Sequence, residues 1–259
     1  MTNRVAAIAY NTFREAVRDR VLYNLVVFAI MMVGAALLLG QISVDVEKIF
    51  LINMGLTAIT LFGVLIAIFI GIGLVSKEIE KRTVYSLLSR PVRRWEFVIG
   101  KFLGLVGTLV VNVGFMSVAF FGALLTVSYY RFEHGDELLL VAIYFIVLEF
   151  IVITALATLF STFSSPILSA VMSFALFIIG SFSSDLRGMA AMAHGISAPV
   201  IRLSAYIVPN FASFNIISSV AHQEGVGAAL ILHNTLYAVL YSLAVLFGAV
   251  LIFERRDFK

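Results

Sequence analysis

Two long stretches without a single charged residue flank a short, strongly basic segment in the first half of the chain. Residues 49–76 and 102–130 contain no Asp, Glu, Lys or Arg, whereas residues 77–101 carry seven of the eighteen basic residues. A helix needs about 20 mainly apolar residues to cross a bilayer, so both stretches are long enough to span one. Because Lys and Arg are retained on the cytoplasmic side of membranes, we expect segment 77–101 on the cytoplasmic face.

The composition of the chain excludes an ordinary soluble fold. Of its 259 residues, 61% are hydrophobic and 13% are charged, whereas soluble proteins have about 25% charged residues. We therefore expect an all-α polytopic membrane protein that has the lipid bilayer as its surroundings. The net charge of +3 is explained by membrane topology, and no nucleic acid partner is expected. Cysteine is absent, which excludes disulfides and thiol chemistry.

Six segments have the length and apolar content of transmembrane helices. They cover residues 21–41, 52–75, 98–127, 139–160, 167–184 and 226–253. The sequence Ser164-Ser165-Pro166 separates the fourth from the fifth, since proline interrupts a helix. Six spans place both termini on one side, with fourteen basic residues there and four on the other. This asymmetry predicts cytoplasmic termini, and we expect a multi-pass protein of the plasma (inner) membrane of a prokaryote.

Three other segments complete this single transmembrane domain of residues 1–259. Residues 1–20 have apolar side chains at helical spacing, which predicts an amphipathic helix in the membrane interface. A helix packed on a soluble partner would show the same pattern. Residues 77–94 form a cytoplasmic segment, and residues 185–225 form a long outer loop in which short interfacial or half-inserted helices are expected.

The basic segment contains apolar residues at helical spacing and a proline, a pattern that a simple loop does not need. Ile79, Val84, Leu87 and Leu88 can share one helical face, and Pro91 disfavours helix at the residue before it. The alternative is an ordinary juxtamembrane loop whose cations only set the orientation of the chain.

The detailed sequence of this segment resembles a known motif. The pattern Glu78-x-Glu80-x-x-Thr83, Leu87-Leu88-Ser89-x-Pro91-x-x-Arg94 and then Gly100-Lys101 is similar to the cytoplasmic motif of ABC-2 type transporter permeases. These are the membrane subunits of one class of ABC transporter, and the order of elements is similar over nearly the whole chain. Arg82 stands where many relatives have glycine. In this the chain is more similar to the branch linked to multicopper-enzyme maturation, which includes the permease that accompanies nitrous-oxide reductase.

The resemblance implies the permease subunit of an ATP-driven exporter. Such permeases pair with a second copy or a homologous permease, and each docks a cytoplasmic coupling helix on a separate ABC ATPase subunit. The residues implied in ATPase coupling are Glu78, Glu80, Arg82, Thr83, Tyr85, Leu87, Leu88, Pro91, Arg93 and Arg94. The chain has no phosphate loop of its own, because its one Gly-Lys pair, Gly100-Lys101, is followed by Phe102. It is therefore not expected to be an enzyme, and ATP and Mg belong to the partner ATPase.

One acidic residue falls inside a predicted span. Glu149 lies near the middle of the fourth, where a carboxylate costs several kcal/mol unless it is neutral, paired or facing water. Asn112 and His233 in other spans are its possible polar partners. Either Glu149 belongs to the transport path or a conformational latch, or it is a protonated, hydrogen-bonded packing residue.

Small and sulfur-containing residues suggest two further interpretations. In the third span Gly100, Gly104, Gly107 and Gly114 share one stripe, which favours close helix packing within the subunit over a dimer contact. The outer cluster Met189, Met192 and His194 has ligand types that suit copper. Met residues at helical spacing are more typical of an apolar face, however, and no metal site is predicted.

Two functions of other classes remain open from the residues alone. An ATPase-independent secondary transporter or channel would need several coupled intramembrane charges, and Glu149 stands nearly alone. The two halves of the chain are also dissimilar, which disfavours an inverted repeat. An intramembrane protease built on Ser197 and His233 is the least favoured, because Ser197 lies in a loop with proline nearby.

Overall fold

The structure is a computed structural model and is helical wherever it has regular secondary structure among the residues it describes. These are residues 2–18, 47–80, 93–127, 135–192 and 207–255, together with parts of 23–38 and residue 199. The helices are α1 (Thr2–Ala16), α2 (Glu47–Glu80), α3 (Arg94–Val127), α4 (Leu138–Phe163), α5 (Pro166–Ser181), α6 (Ser183–Met192), a 3-10 helix (Phe211–Phe214), α7 (Ile217–Ala221) and α8 (Ala228–Arg255).

Four of these helices are long and apolar enough to cross a membrane. They are α2, α3, α4 and α8, and α5 together with α6 makes a fifth candidate if the bent pair is one span. The predictions of spans at 52–75, 98–127, 139–160 and 226–253 agree with these four helices. The predicted first span, 21–41, lies for the most part outside the described residues.

The predicted fifth span, 167–184, differs from the structure at its end. The helix stops at Ser181, and the chain bends by 62° before α6 begins. Tertiary contacts account for the break. A Cβ on Gly180 would lie 2.6 Å from the carbonyl oxygen of Pro209, and Ser183 donates a 2.6 Å hydrogen bond to Asn210 Oδ1. The chain that follows α6 is therefore folded back against the end of α5.

Helix α2 packs against α3 and α4 and approaches them closely at three glycines. A Cβ at Gly55 would meet the Phe120 ring of α3, one at Gly63 the Phe150 ring of α4, and one at Gly71 would lie 2.7 Å from Ala157 Cβ of α4. Small residues allow such close approach in membranes, where helix packing depends on van der Waals contact. The contacts show that α2 and α4 run in the same direction.

The two ends of the bundle differ in character. At one end the start of α3 meets the end of α8, where the Phe97 and Phe253 rings stack with centroids 5.9 Å apart. We call this the basic end, because the described parts of the basic segment, residues 77–80 and 93–101, lie there. At the opposite end, the far end, Lys48 at the start of α2 forms a 2.7 Å ion pair with Asp136 just before α4.

Helix α1 packs across the start of α3 at the basic end. Its predicted apolar side is the side turned inward, because Val5, Ile8, Thr12 and Phe13 are buried or half-buried. The polar residues Arg4, Asn11, Arg14, Glu15 and Arg18 are exposed. The helix thus packs on its own chain, and its position in the membrane interface stays a prediction.

The glycine stripe of α3 is the surface on which α1 lies. A Cβ on Gly100 would come within 2.8 Å of Ile8 Cβ, and one on Gly104 would overlap the Ala9 carbonyl oxygen. Gly107 lies beside Phe13, whereas Gly114 has open space around its Cβ position. The first three glycines therefore serve packing within the subunit.

Replacement of Gly104 by alanine is expected to displace α1 and destabilise the chain by about 1–3 kcal/mol, because the new methyl group overlaps backbone of α1. Gly114→Ala is the matched control, since it adds the same methyl group where nothing lies within 4 Å. Thermal unfolding of both variants in detergent measures the difference. Equal unfolding temperatures for the two variants would contradict this packing.

Candidate functional site

Helix α2 extends beyond the membrane-spanning length at the basic end. Its apolar span ends at Gly73, but the helix continues without a break to Glu80. These seven residues add about 10 Å of helix. Glu78 and Glu80, two of the predicted coupling residues, lie on this extension. A partner that binds the extension would therefore contact a helix that continues without a break to the far end of the bundle.

Most of the predicted coupling residues follow this extension. Arg82, Thr83, Tyr85, Leu87, Leu88 and Pro91 lie outside the described residues. The structure describes the chain again at Arg93, directly before α3. The predicted coupling segment is thus bounded by α2 on one side and α3 on the other.

The N-terminus of α3 is capped by the side chain of Glu96, which belongs to the first turn of the same helix. The backbone N–H of Arg93 donates to Glu96 Oε2 at 3.0 Å, and Glu96 is buried. The first N–H groups of a helix have no partner within the helix, and a carboxylate three residues on satisfies one of them. This contact fixes the direction in which the chain enters α3.

Arg94 joins the start of α3 to the end of α8. Its guanidinium donates to the carbonyl oxygens of Phe253 and Glu254 at 3.0 and 2.7 Å. Carbonyl groups at a helix C-terminus lack intrahelical partners, and a cation there interacts favourably with the helix dipole. Arg94 was predicted to contact an ATPase, and the structure gives it this additional role within the chain.

Two aromatic contacts reinforce the same junction. Phe97 stacks on Phe253 of α8, and the Lys101 ammonium lies 4.8 Å from the centre of the Phe97 ring. A cation over an aromatic ring is attracted by about 0.5–2 kcal/mol, more when it is removed from water, and Lys101 is buried. With α1 on Gly100 and α8 on Phe97, the start of α3 is held on two sides.

Removal of the Arg94 guanidinium is expected to loosen the end of α8. Arg94→Ala leaves the Phe253 and Glu254 carbonyls without this donor, at a cost of about 1–3 kcal/mol. Amide hydrogen exchange across the last turns of α8 measures the effect, which should appear as faster exchange. Arg93→Ala is the control, because the Arg93 side chain is exposed and the hydrogen bonds described for this residue, with Glu96 and Phe97, are made by its backbone. Equal exchange in both variants would show that Arg94 does not brace α8.

A second candidate site lies inside the bundle around Glu149. This residue is 6% exposed and lines a cavity of about 190 Å³. The cavity walls come from α2, α4, the end of α5 and the segment that begins with the 3-10 helix. Among the described residues, no hydrogen bond or ion pair reaches the Glu149 carboxylate. Glu149, which the sequence singled out as an acidic residue within a span, lies near the middle of α4 and is buried.

The structure does not pair Glu149 with the partners that were predicted for it. Asn112 is buried on α3, and its amide nitrogen has no hydrogen-bond partner in the described part of the chain. His233 is exposed on α8, beside a buried Asn234 that donates to Ser213 O at 2.7 Å. Neither residue lines the cavity.

Instead, the other polar residues that line the cavity carry hydroxyl and amide side chains and lie on α2, on α5 and just after the 3-10 helix. They are Thr57, Thr60, Ser181 and Asn215. Three phenylalanines, Phe177, Phe211 and Phe214, make up much of the remaining wall. Sequence inspection missed these residues, because isolated Thr, Ser and Phe residues in an apolar chain give no signal of their own. The spacing of Thr57 and Thr60 by three, on one face of a predicted helix, was the one available sign.

The far-end wall of the cavity is anchored by hydrogen bonds to α8. The N–H of Asn210 donates to Tyr237 Oη at 2.8 Å, and Tyr241 donates to the carbonyl oxygen of Ile207 at 3.1 Å. The Phe214 ring packs on the Tyr237 ring. We call residues 207–221 the far-end segment. Its position is set by side chains of a spanning helix, so it is a fixed wall of the cavity.

The other candidate residues do not form a site in the part of the chain that the structure describes. Met189 and Met192 are exposed on α6, and no group of three or more Asp, Glu or His residues suited to a metal occurs among the described residues. His194 and Ser197 lie outside the described residues. The metal and protease interpretations therefore gain no support.

The fold and the two sites define a polytopic, all-helical membrane protein with a helical extension at one end and a polar cavity inside. Residues 6–258 match the family described as ABC-2 family transporter protein. Since this match covers nearly the whole chain, the chain belongs to the ABC-2 family of transporter proteins. It is thus a membrane transport component, whose family implies an ABC ATPase partner. No curated protein sequence matches the chain.

Proposed function

We propose that this chain is the permease subunit of an ATP-driven ABC exporter and that a separate ATPase docks on residues 77–94. The observation that carries the proposal is the continuity of α2, which runs from the far end through the membrane to Glu80. A docking helix can move a transport path only if it is joined rigidly to the spans that form the path. Helix α2 provides this connection on one side of the segment, and the braced start of α3 provides it on the other.

The path of the chain supports six spans with both termini in the cytoplasm. Helix α1 lies at the basic end against Gly100, whereas α2 begins at the far end beside Asp136. Between Gly100 and Phe120, which faces Gly55, α3 alone covers about 30 Å. The connection from α1 to α2 has to cover this distance, and Val33 within it is buried in the main core.

Assembly and location follow from the family as part of the proposal. One chain with six spans is half of a membrane unit, so we infer that it pairs with a second copy or a homologous permease. We place it in the plasma (inner) membrane of a prokaryote. The branch linked to multicopper-enzyme maturation remains our preferred assignment because of Arg82, and a partner ATPase holds ATP and Mg.

Replacement of Leu87 and Leu88 by aspartate is expected to abolish ATPase coupling, because an apolar contact with the ATPase would become a pair of buried charges. The chain is co-purified with a candidate ABC ATPase partner, and ATP hydrolysis is measured with and without the permease. The double variant should lose co-purification and lower the stimulation of hydrolysis at least tenfold.

Met192→Asp is the control for this experiment, since it places an aspartate on an exposed position of α6 away from the basic end. It should leave association and stimulation unchanged. Unchanged association and stimulation in the Leu87/Leu88 variant would refute the docking of an ATPase on this segment.

A further inference from the structure

We propose that the cavity around Glu149 is a binding site for a small organic cation, an ammonium group that carries methyl or methylene substituents. This inference deepens the proposed permease function. It rests on that function only for the identification of the ligand as a transported substrate. The binding itself depends on the cavity alone.

The first argument is that the charge of the Glu149 carboxylate has no partner among the described residues. Glu149 is more than nine-tenths buried, lines the cavity and has no described hydrogen-bond or ionic partner. A buried charge without a partner is costly at this depth in a membrane. Two of the other polar groups of the cavity are bonded within their own helices, because the hydroxyls of Thr60 and Ser181 donate to the carbonyls of Leu56 and Phe177. The compensating charge has to come from a proton or from a bound cation.

The second argument is the chemistry of the remaining wall. Three phenylalanines from two different parts of the chain, Phe177, Phe211 and Phe214, line the same cavity. Aromatic faces attract cations, and several rings around one space are the usual way in which proteins recognise methylated ammonium groups. Together with one carboxylate they form a site that is apolar around its edge and negative at one point.

The same wall argues against a metal ion. Mg²⁺ and Ca²⁺ need six or more oxygen ligands, most of them from carboxylates, carbonyls and water. Among the described residues, Glu149 is the one carboxylate that lines the cavity, and seven of the twelve lining residues are apolar. A strongly hydrated ion would lose more water than this site replaces. A weakly hydrated organic cation loses little.

The size of the cavity agrees with such a ligand. An apolar cavity of about 150 Å³ holds a benzene molecule, and the cavity around Glu149 has about 190 Å³. Tetramethylammonium is similar in size to benzene and carries a permanent charge, so it is the appropriate probe. tert-Butanol has a similar shape without the charge.

Binding of radiolabelled tetramethylammonium to the purified full chain in maltoside detergent tests the proposal directly, without an ATPase. We expect saturable binding that tert-butanol and sodium chloride do not displace at equal concentration. Glu149→Gln, which keeps the shape of the side chain, should weaken the binding at least tenfold. Glu137→Gln is the matched control, because it removes an exposed carboxylate just before the same helix and should bind as the wild type does.

Phe211→Leu gives a second, independent readout in case Glu149→Gln does not fold, as judged by circular dichroism and gel filtration. It keeps the carboxylate but removes one ring from the wall, and it should weaken binding several-fold.

Addition of phosphatidylcholine or phosphatidylglycerol then separates two sources of the ammonium group. Displacement by phosphatidylcholine alone identifies a lipid headgroup, and displacement by neither identifies a free cation.

The proposal is overturned if the folded wild-type chain shows no saturable binding, which would make Glu149 a protonated packing residue. It is also overturned if Glu149→Gln binds as the wild type does, or if tert-butanol competes equally. These results leave ATPase docking untouched, since no ATPase is present. Loss of ATPase docking would in turn leave cation binding unchanged.

Discussion

The close contacts of α2 with α3 and α4 are the interactions on which the rest of the structure depends. Lipid is as apolar as a leucine side chain, so the hydrophobic effect does not hold one spanning helix against another. The helices are instead held together by dense van der Waals contact. In α2 this contact is made where Gly55, Gly63 and Gly71 lie against side chains of α3 and α4. The glycines are spaced by eight, so each is rotated by about 80° from the one before it. Gly55 accordingly meets α3, whereas Gly63 and Gly71 meet α4. This glycine seam fixes the register of α2 against α4.

The basic end depends on contacts of a different kind. There the start of α3 carries α1 on its glycine stripe and the end of α8 on Phe97 and Arg94. Hydrogen bonds to helix ends and a buried cation over a ring are directional, whereas the glycine seam is not. The end of the bundle nearest the proposed ATPase is therefore bound as one unit of three helices. Segment 77–94 connects this unit to α2.

The sequence was sufficient to predict four of the spans but not the contacts among them. Apolar runs of membrane length located α2, α3, α4 and α8, because length and hydropathy are local properties. Helix α2 extends beyond residue 75, where the predicted span ended, because Lys77, Glu78 and Glu80 are good helix formers. The break after Ser181 was missed because its cause, contact with Pro209 and Phe211, lies some thirty residues away. Glu149 was found because a charge in a span is conspicuous, whereas its neighbours are ordinary residues brought together only by folding.

Helix α2 also connects the two candidate sites physically. Thr57 and Thr60 of α2 line the cavity around Glu149, and Glu80 ends the same helix. From Thr60 to Glu80 is twenty residues, about 30 Å of continuous helix. A rotation or tilt imposed at the extension moves the cavity wall directly, while the far-end segment stays anchored to α8 through Tyr237. A change in the separation of these two walls alters the fit of any ligand beside Glu149. In the proposed transporter, coupling between ATP hydrolysis and transport therefore needs no relay of side chains, because one helix lines the cavity and borders the proposed docking segment.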